Sequence, residues 1–219
     1  MNDMDYIMAV FPYVSGSLFI LGTALRIIHW LRQPAHVKWT LYPVPVNVTE
    51  QLTYMLKEIL TFGTVYQFNR RLWIGTYSLH MAMAGFVIFS LAYVAGMLPS
   101  TAAKFFLLLM LVAACYIIWL RLVDRNLRAL SSGEEFFNLA FIAVVAAAAF
   151  FTQFLEGYFP PRYYIMSLIT FAPDTAFISR AQLVVIFLGG LFFIYLPWSK
   201  MIHYVAKYFT YHRINWQSH

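Results

Sequence analysis

The chain has 219 residues, of which 62% are hydrophobic and 11% charged, and its mean hydropathy is +0.68. Too little polar surface remains to cover a water-soluble globule of this size, so the composition excludes a soluble domain and makes the bilayer the solvent. The net charge of +6 does not point to nucleic acid, because the basic residues fall in short clusters between apolar runs, where positive-inside sorting accounts for them. A single cysteine, Cys115, lies inside an apolar run and supplies neither a disulfide framework nor a thiolate metal site.

The chain opens with a short acidic stretch, Asp3 and Asp5, and then runs apolar from Ile7 to about Ile28. Without a basic n-region or a clean small-residue cleavage site, this run is expected to be a retained membrane helix rather than a signal peptide. Ser15, Gly16 and Ser17 suit close helix packing, and Arg26, His29, Arg32 and Lys38 at its end mark a cytoplasmic side. The longest connection, 32–71, is held extended by Pro43 and Pro45. Thr49 is expected to cap a short amphipathic helix there, with Leu52, Met55, Leu56, Ile59 and Leu60 on one face, lying on the inner surface or under a partner.

Four further spans are predicted at about 72–98, 102–122, 136–159 and 180–207, with 99–101 and 157–179 as outer connections. Alanines 143 and 146–149 in the fourth span allow close helix approach. The expected fold is therefore all-α: a single domain, 1–219, forming an integral membrane bundle of five transmembrane helices. Charge sets its orientation. Twelve basic residues (Arg26, Arg32, Lys38, Lys57, Arg70, Arg71, Arg121, Arg125, Arg128, Lys200, Lys207 and Arg213) fall on one side, against Lys104, Arg162 and Arg180 on the other. This asymmetry predicts an outer N-terminus and a cytoplasmic C-terminus in a multi-pass protein of the inner (cytoplasmic) membrane.

Two histidines interrupt the apolar spans. His80 lies about 14 Å along its helix from Arg71 at about 1.5 Å per residue, and His203 closes the run Leu196-Pro197-Trp198-Ser199-Lys200-Met201-Ile202-His203. His80 is nine residues in from Arg71 and His203 ten residues in from Arg213, so the two are expected at similar depth on facing helices. Ionisable residues inside a membrane are costly and demand partners. Two neutral imidazoles on facing helices form the usual clamp for a haem iron, and that pair is the expected metal site. Arg26, His29, Arg70, Arg71 and Lys200 are the cations available to its propionates. His36, His212 and His219 read as solvated loop or tail residues.

Phe11-Pro12-Tyr13-Val14-Ser15-Gly16 with the Leu-Phe-Ile-Leu-Gly that follows, Leu79-His80, and Pro197-Trp198-Ser199-Lys200-Met201-Ile202-His203 resemble the cytochrome b gamma subunit of respiratory nitrate reductase and its relatives. Those relatives include membrane cytochromes of sulfate reducers' electron-transfer complexes, which pair with heterodisulfide-reductase-like iron–sulfur proteins. The resemblance implies a membrane anchor that exchanges electrons between the quinone pool and a cytoplasmic iron–sulfur subunit. The family pattern has two haems, each held by one histidine from the second helix and one from the fifth. His80 and His203 match the inner pair. At the outer positions this chain offers Ser90 and Gln182 or Val185, so one haem b is expected, with quinone as substrate. The alternative is a haem-free structural anchor for cytoplasmic redox subunits.

Overall fold

A computed structural model describes residues 3–33, 47–97, 102–157, 162–176 and 178–211. The expected proline-held stretch at 43–45, the turn at 99–101, Pro160-Pro161, and His36, His212, Arg213 and His219 lie outside these residues. Among the described residues the chain is helical without strands. Among the described residues, five helices are long and apolar enough to cross a membrane: α1 (Asp3–Arg32), α4 (Arg70–Val94), α5 (Ala103–Val123), α7 (Gly133–Glu156) and α9 (Arg180–Tyr195), the last extended by a 3₁₀ turn, Leu196–Trp198. Short helices connect them: α2 (Val48–Thr61), α3 (Gly63–Phe68), α6 (Arg125–Leu130), α8 (Arg162–Ile169) and α10 (His203–Thr210).

The helices pack as a row, α4 on α5, α5 on α7, α7 on α9 and α9 on α1. The α5–α7 pair is the centre of the row because both helices present small side chains there. Leu139, Ile142, Ala146, Ala149 and Gln153 recur at helical spacing as the buried stripe of α7, against Ala113, Ala114 and Ile117 of α5. The outward faces stay apolar, with Ile20, Leu91, Phe105 and Leu155 exposed, the inverse of a soluble bundle. Two clusters fill the interior. One, at the His203 end, joins Leu79, Ala114, Ile117, Leu139, Ile142 and Met201. The other, at the far end, joins Phe89, Ala103, Leu107 and Ala149.

The first and fourth spans are shifted by three or four residues at their ends from the sequence expectation, and four further differences each have a local reason. The connection 157–179 contains α8, which straps the far end: Tyr164 Oη donates to Met8 O at 3.3 Å, Tyr13 Oη to Leu168 O at 2.8 Å, and Arg162 Nε to Val94 O at 2.8 Å. The second span stops at Val94 rather than Leu98, because Gly96 at φ 78° turns the chain. Asn47, not Thr49, caps α2, its side chain accepting from Glu50 N at 2.9 Å. The fifth span does not run unbroken to Lys207.

That last break decides the site. Pro197 has no N–H, and in a continuing α-helix its ring would strike the carbonyl one turn back, so α9 tightens to a 3₁₀ turn and ends. Ser199 follows in extended conformation, donating its hydroxyl to Leu196 O and accepting from Met201 N, both at 3.1 Å. A second 3₁₀ turn, Lys200–Ile202, leads directly into α10, so His203 starts a new helix instead of lying in the middle of an old one.

Candidate functional site

The two histidines that the sequence singled out come together. His80 Nε2 and His203 Nε2 lie 3.5 Å apart, with ring centroids 5.8 Å apart and ring planes at 62°. Each ring is oriented from behind by a backbone carbonyl. His80 Nδ1 lies 2.7 Å from Thr76 O, one turn earlier in α4, and His203 Nδ1 lies 3.3 Å from Lys200 O, which also accepts from His203 N at the end of the second 3₁₀ turn. A carbonyl can only accept, so these contacts assign the proton of each ring to Nδ1. Both Nε2 lone pairs then point into the same gap.

Two lone pairs facing each other repel unless an electron-pair acceptor lies between them. Imidazole–metal bonds of about 2 Å put the two nitrogens of a linear N–metal–N unit about 4 Å apart, close to the separation here. A backbone carbonyl behind each ligand ring is the ordinary outer-shell arrangement of metal-bound histidine. Among the described residues no group of three or more His, Cys, Asp or Glu side chains could hold an ion. Two protein donors would suit a metal whose remaining positions a bound cofactor supplies, and His80 and His203 are the residues that would hold it.

The neighbours of the pair come from the connection between α2 and α3. The Phe62 ring lies 4.7 Å from the His80 ring and 6.2 Å from Tyr77, which stacks on Trp73 at 4.9 Å. On the other side His203 is exposed, as is Tyr204 beside it, whose hydroxyl is 3.2 Å from Thr23 Oγ1. Lys207 lies one turn beyond His203 on α10, and its Nζ is 5.9 Å from the Tyr211 ring centre.

Of the five predicted propionate donors, the side chains of Arg26, His29, Arg70 and Lys200 have partners within the protein, and the Arg71 guanidinium has none among these contacts. Arg26 Nε donates to Pro197 O at 3.2 Å, and its guanidinium lies 5.8 Å from the Trp198 ring, so it caps a carbonyl released by the helix break. His29 pairs with Gln33 at 3.1 Å. Arg70 lies 5.1 Å over the Tyr66 ring, and the Arg71 carbonyl accepts from Tyr116 Oη at 3.2 Å. Lys200 Nζ turns toward α7, donating to Ser132 at 3.0 Å and facing Glu135 at 3.7 Å. Glu135 also holds Arg121, and Glu134 accepts from Lys200 N at 2.7 Å. Lys200 thus ties the turn carrying His203 to the start of α7.

At the far end, Ser90 donates its hydroxyl to Phe86 O at 2.8 Å, and Gln182 is fully buried in the capping box that starts α9. Phe62, Thr76 and Lys207 are the neighbours that sequence reasoning missed. Only Phe62 left a trace, in the Phe62-Gly63 step that marks a helix end. No protein-family model matches the chain, and no curated protein matches it.

Proposed function

We propose that the chain is a membrane-anchored cytochrome b subunit that passes electrons between the quinone pool and a cytoplasmic iron–sulfur partner. The observation that carries this reading is the pair of Nε2 lone pairs, on His80 and His203, directed at one another across 3.5 Å. The motif resemblance to the cytochrome b gamma family supports the same assignment, and the twelve-to-three division of basic residues favours an inner-membrane protein with the histidine end on the cytoplasmic side.

A haem held by His80 and His203 would supply one-electron transfer, with no position left open for small-molecule activation. The chain's own part is to hold and orient. Thr76 O and Lys200 O fix the ring tautomers, the break at Pro197 aims His203 across the bundle, and Phe62 covers His80. The basic loops at that end suit an acidic face on the iron–sulfur partner.

A second reading has one observation in its favour: 3.5 Å is also the outer limit of a hydrogen bond, so a proton on one Nε2 would make the pair a helix-to-helix contact in a haem-free anchor. A reduced-minus-oxidised optical spectrum of the purified chain, with a pyridine haemochrome assay, separates the two. One b-type haem per chain is expected. A colourless chain, purified from cells supplied with haem, would leave only the anchor.

A further inference from the structure

Phe62 occupies a backbone conformation that phenylalanine seldom adopts. Its φ of 51° and ψ of 42° place it in the left-handed region, where a Cβ crowds the following carbonyl. Glycine would adopt that conformation freely, and Gly63, the next residue, lies inside α3. A bulky residue persists there only when its surroundings over-determine the conformation, and such positions cluster at functional sites.

The surroundings here do so from both sides. Phe62 N donates to Glu58 O at 2.9 Å and Phe62 O accepts from Tyr66 N at 3.0 Å, so the residue ends α2 and begins α3. The Glu58 carboxylate accepts from Thr64 N, and Trp73 Nε1 on α4 donates to Thr61 O at 2.8 Å. Met55 of α2 packs on Tyr211 after α10. The α2–α3 arm is therefore pinned to both histidine-bearing elements, and the strained residue at its bend directs an aromatic ring onto His80 at 4.7 Å with a tilt of 48°.

We infer that Phe62 is a positioning residue: its ring sets the rotation of the His80 imidazole and shields it from water, and the α2–α3 arm is the lid over the histidine clamp. The ligand side of this inference rests on the haem reading; the shielding of His80 does not. Thr76 O fixes one edge of the His80 ring but leaves it free to swing about that bond. Phe62 supplies the second constraint.

The test uses the full chain in detergent with Phe62→Gly, Phe62→Leu and Phe62→Tyr. Phe62→Gly suits the left-handed backbone, so an intact helical circular dichroism spectrum is expected. In haem-loaded protein, the angle between two axial imidazole planes governs the anisotropy of the low-spin ferric electron paramagnetic resonance signal. Phe62→Gly and Phe62→Leu are expected to shift and broaden that signal, and Phe62→Tyr to restore it. In haem-free protein, mapping of diethyl pyrocarbonate adducts should show His80 modified severalfold faster in Phe62→Gly, with the already exposed His203 unchanged. Equal His80 modification in wild type and Phe62→Gly would overturn the inference whether or not haem is present. An unshifted resonance signal in haem-loaded Phe62→Gly would overturn it as well. Absence of haem from the wild-type chain would overturn the functional reading alone.

Discussion

Gly22 of α1 lies so close to Pro197 that a Cβ added at Gly22 would sit 2.9 Å from the proline Cβ and 3.4 Å from the Trp198 ring. Pro197 breaks α9, and the break sends the chain toward His203, so the missing side chain at residue 22 seats the turn that places a histidine.

Gly22→Ala should therefore destabilise the protein, whereas Gly16→Ala in the same helix should stabilise it. Nothing lies within 4 Å of a Cβ at Gly16, so the second substitution keeps only the helix-propensity gain of about 0.5–1 kcal/mol. At Gly22 that gain is outweighed by overpacking of roughly 1–3 kcal/mol against a proline that cannot rotate away. Thermal unfolding of the two variants in detergent, followed by circular dichroism, should show shifts of opposite sign.

The clamp predicts a pattern of haem loss. His80→Ala and His203→Ala should each abolish the low-spin spectrum, since one imidazole leaves the metal's other axial position to water. His36→Ala should bind haem as the wild type does. Pyridine haemochrome titration should give one haem b for the wild type and close to none for the first two variants. A wild-type low-spin spectrum in either would remove that residue as a ligand.

The spans were legible because a transmembrane run is a matter of length and composition, and His80 and His203 stood out as the ionisable residues breaking two of them. The break in the fifth span was written in Pro197 and in Ser199-Lys200 after it, but the apolar Met201 and Ile202 beyond let the span be read through to His203. The strap α8 was less visible, because eight residues with mixed tyrosine and aliphatic content carry no clear period. The Phe62-Gly63 step hinted at a helix end, but the left-handed backbone of Phe62 itself was not legible: the arm around it is held by Trp73 on Thr61 O and by Tyr211 on Met55, and no local propensity records such a tertiary constraint. The engagement of Lys200 was hidden for a similar reason, since its partners on α7 lie more than 60 residues away in sequence.

That engagement changes the expected ranking of charges around the site. Lys200 already faces Glu135, whereas Lys207 lies one turn beyond His203 on α10. Removing a cation near a haem stabilises the oxidised, more positive form, so the midpoint potential should fall. Lys207→Met is expected to lower it by roughly 10–40 mV, corresponding to about 0.3–1 kcal/mol for a partly solvated charge. Lys200→Met should change it less, since its charge is compensated within the protein. Spectroelectrochemical titration of both variants checks the order, and a larger shift in Lys200→Met would mean that the propionates face α7.

The strap at the far end gives a test of the fold that is independent of any cofactor. Tyr164 is 3% exposed, and burial, helped by the nearby Tyr13, pushes its phenol up to about 12. Between pH 10 and 12 the unfolded chain releases this proton while the folded chain keeps it. The folded state then binds more protons, so its stability falls as pH rises through that window. Below pH 10 the contribution is complete; a shift of about two pH units corresponds to roughly 2–3 kcal/mol. Tyr211, near the histidines, is also raised to about 12 by burial and by Glu58, and adds to the same loss. Tyr164→Phe cannot ionise, so its melting temperature should decline less steeply between pH 10 and 12 than that of the wild type. It should start lower near neutral pH, because the bond to Met8 O is gone. Parallel slopes for the two proteins would mean that the Tyr164 hydroxyl reaches water and that α8 does not close the far end of the bundle.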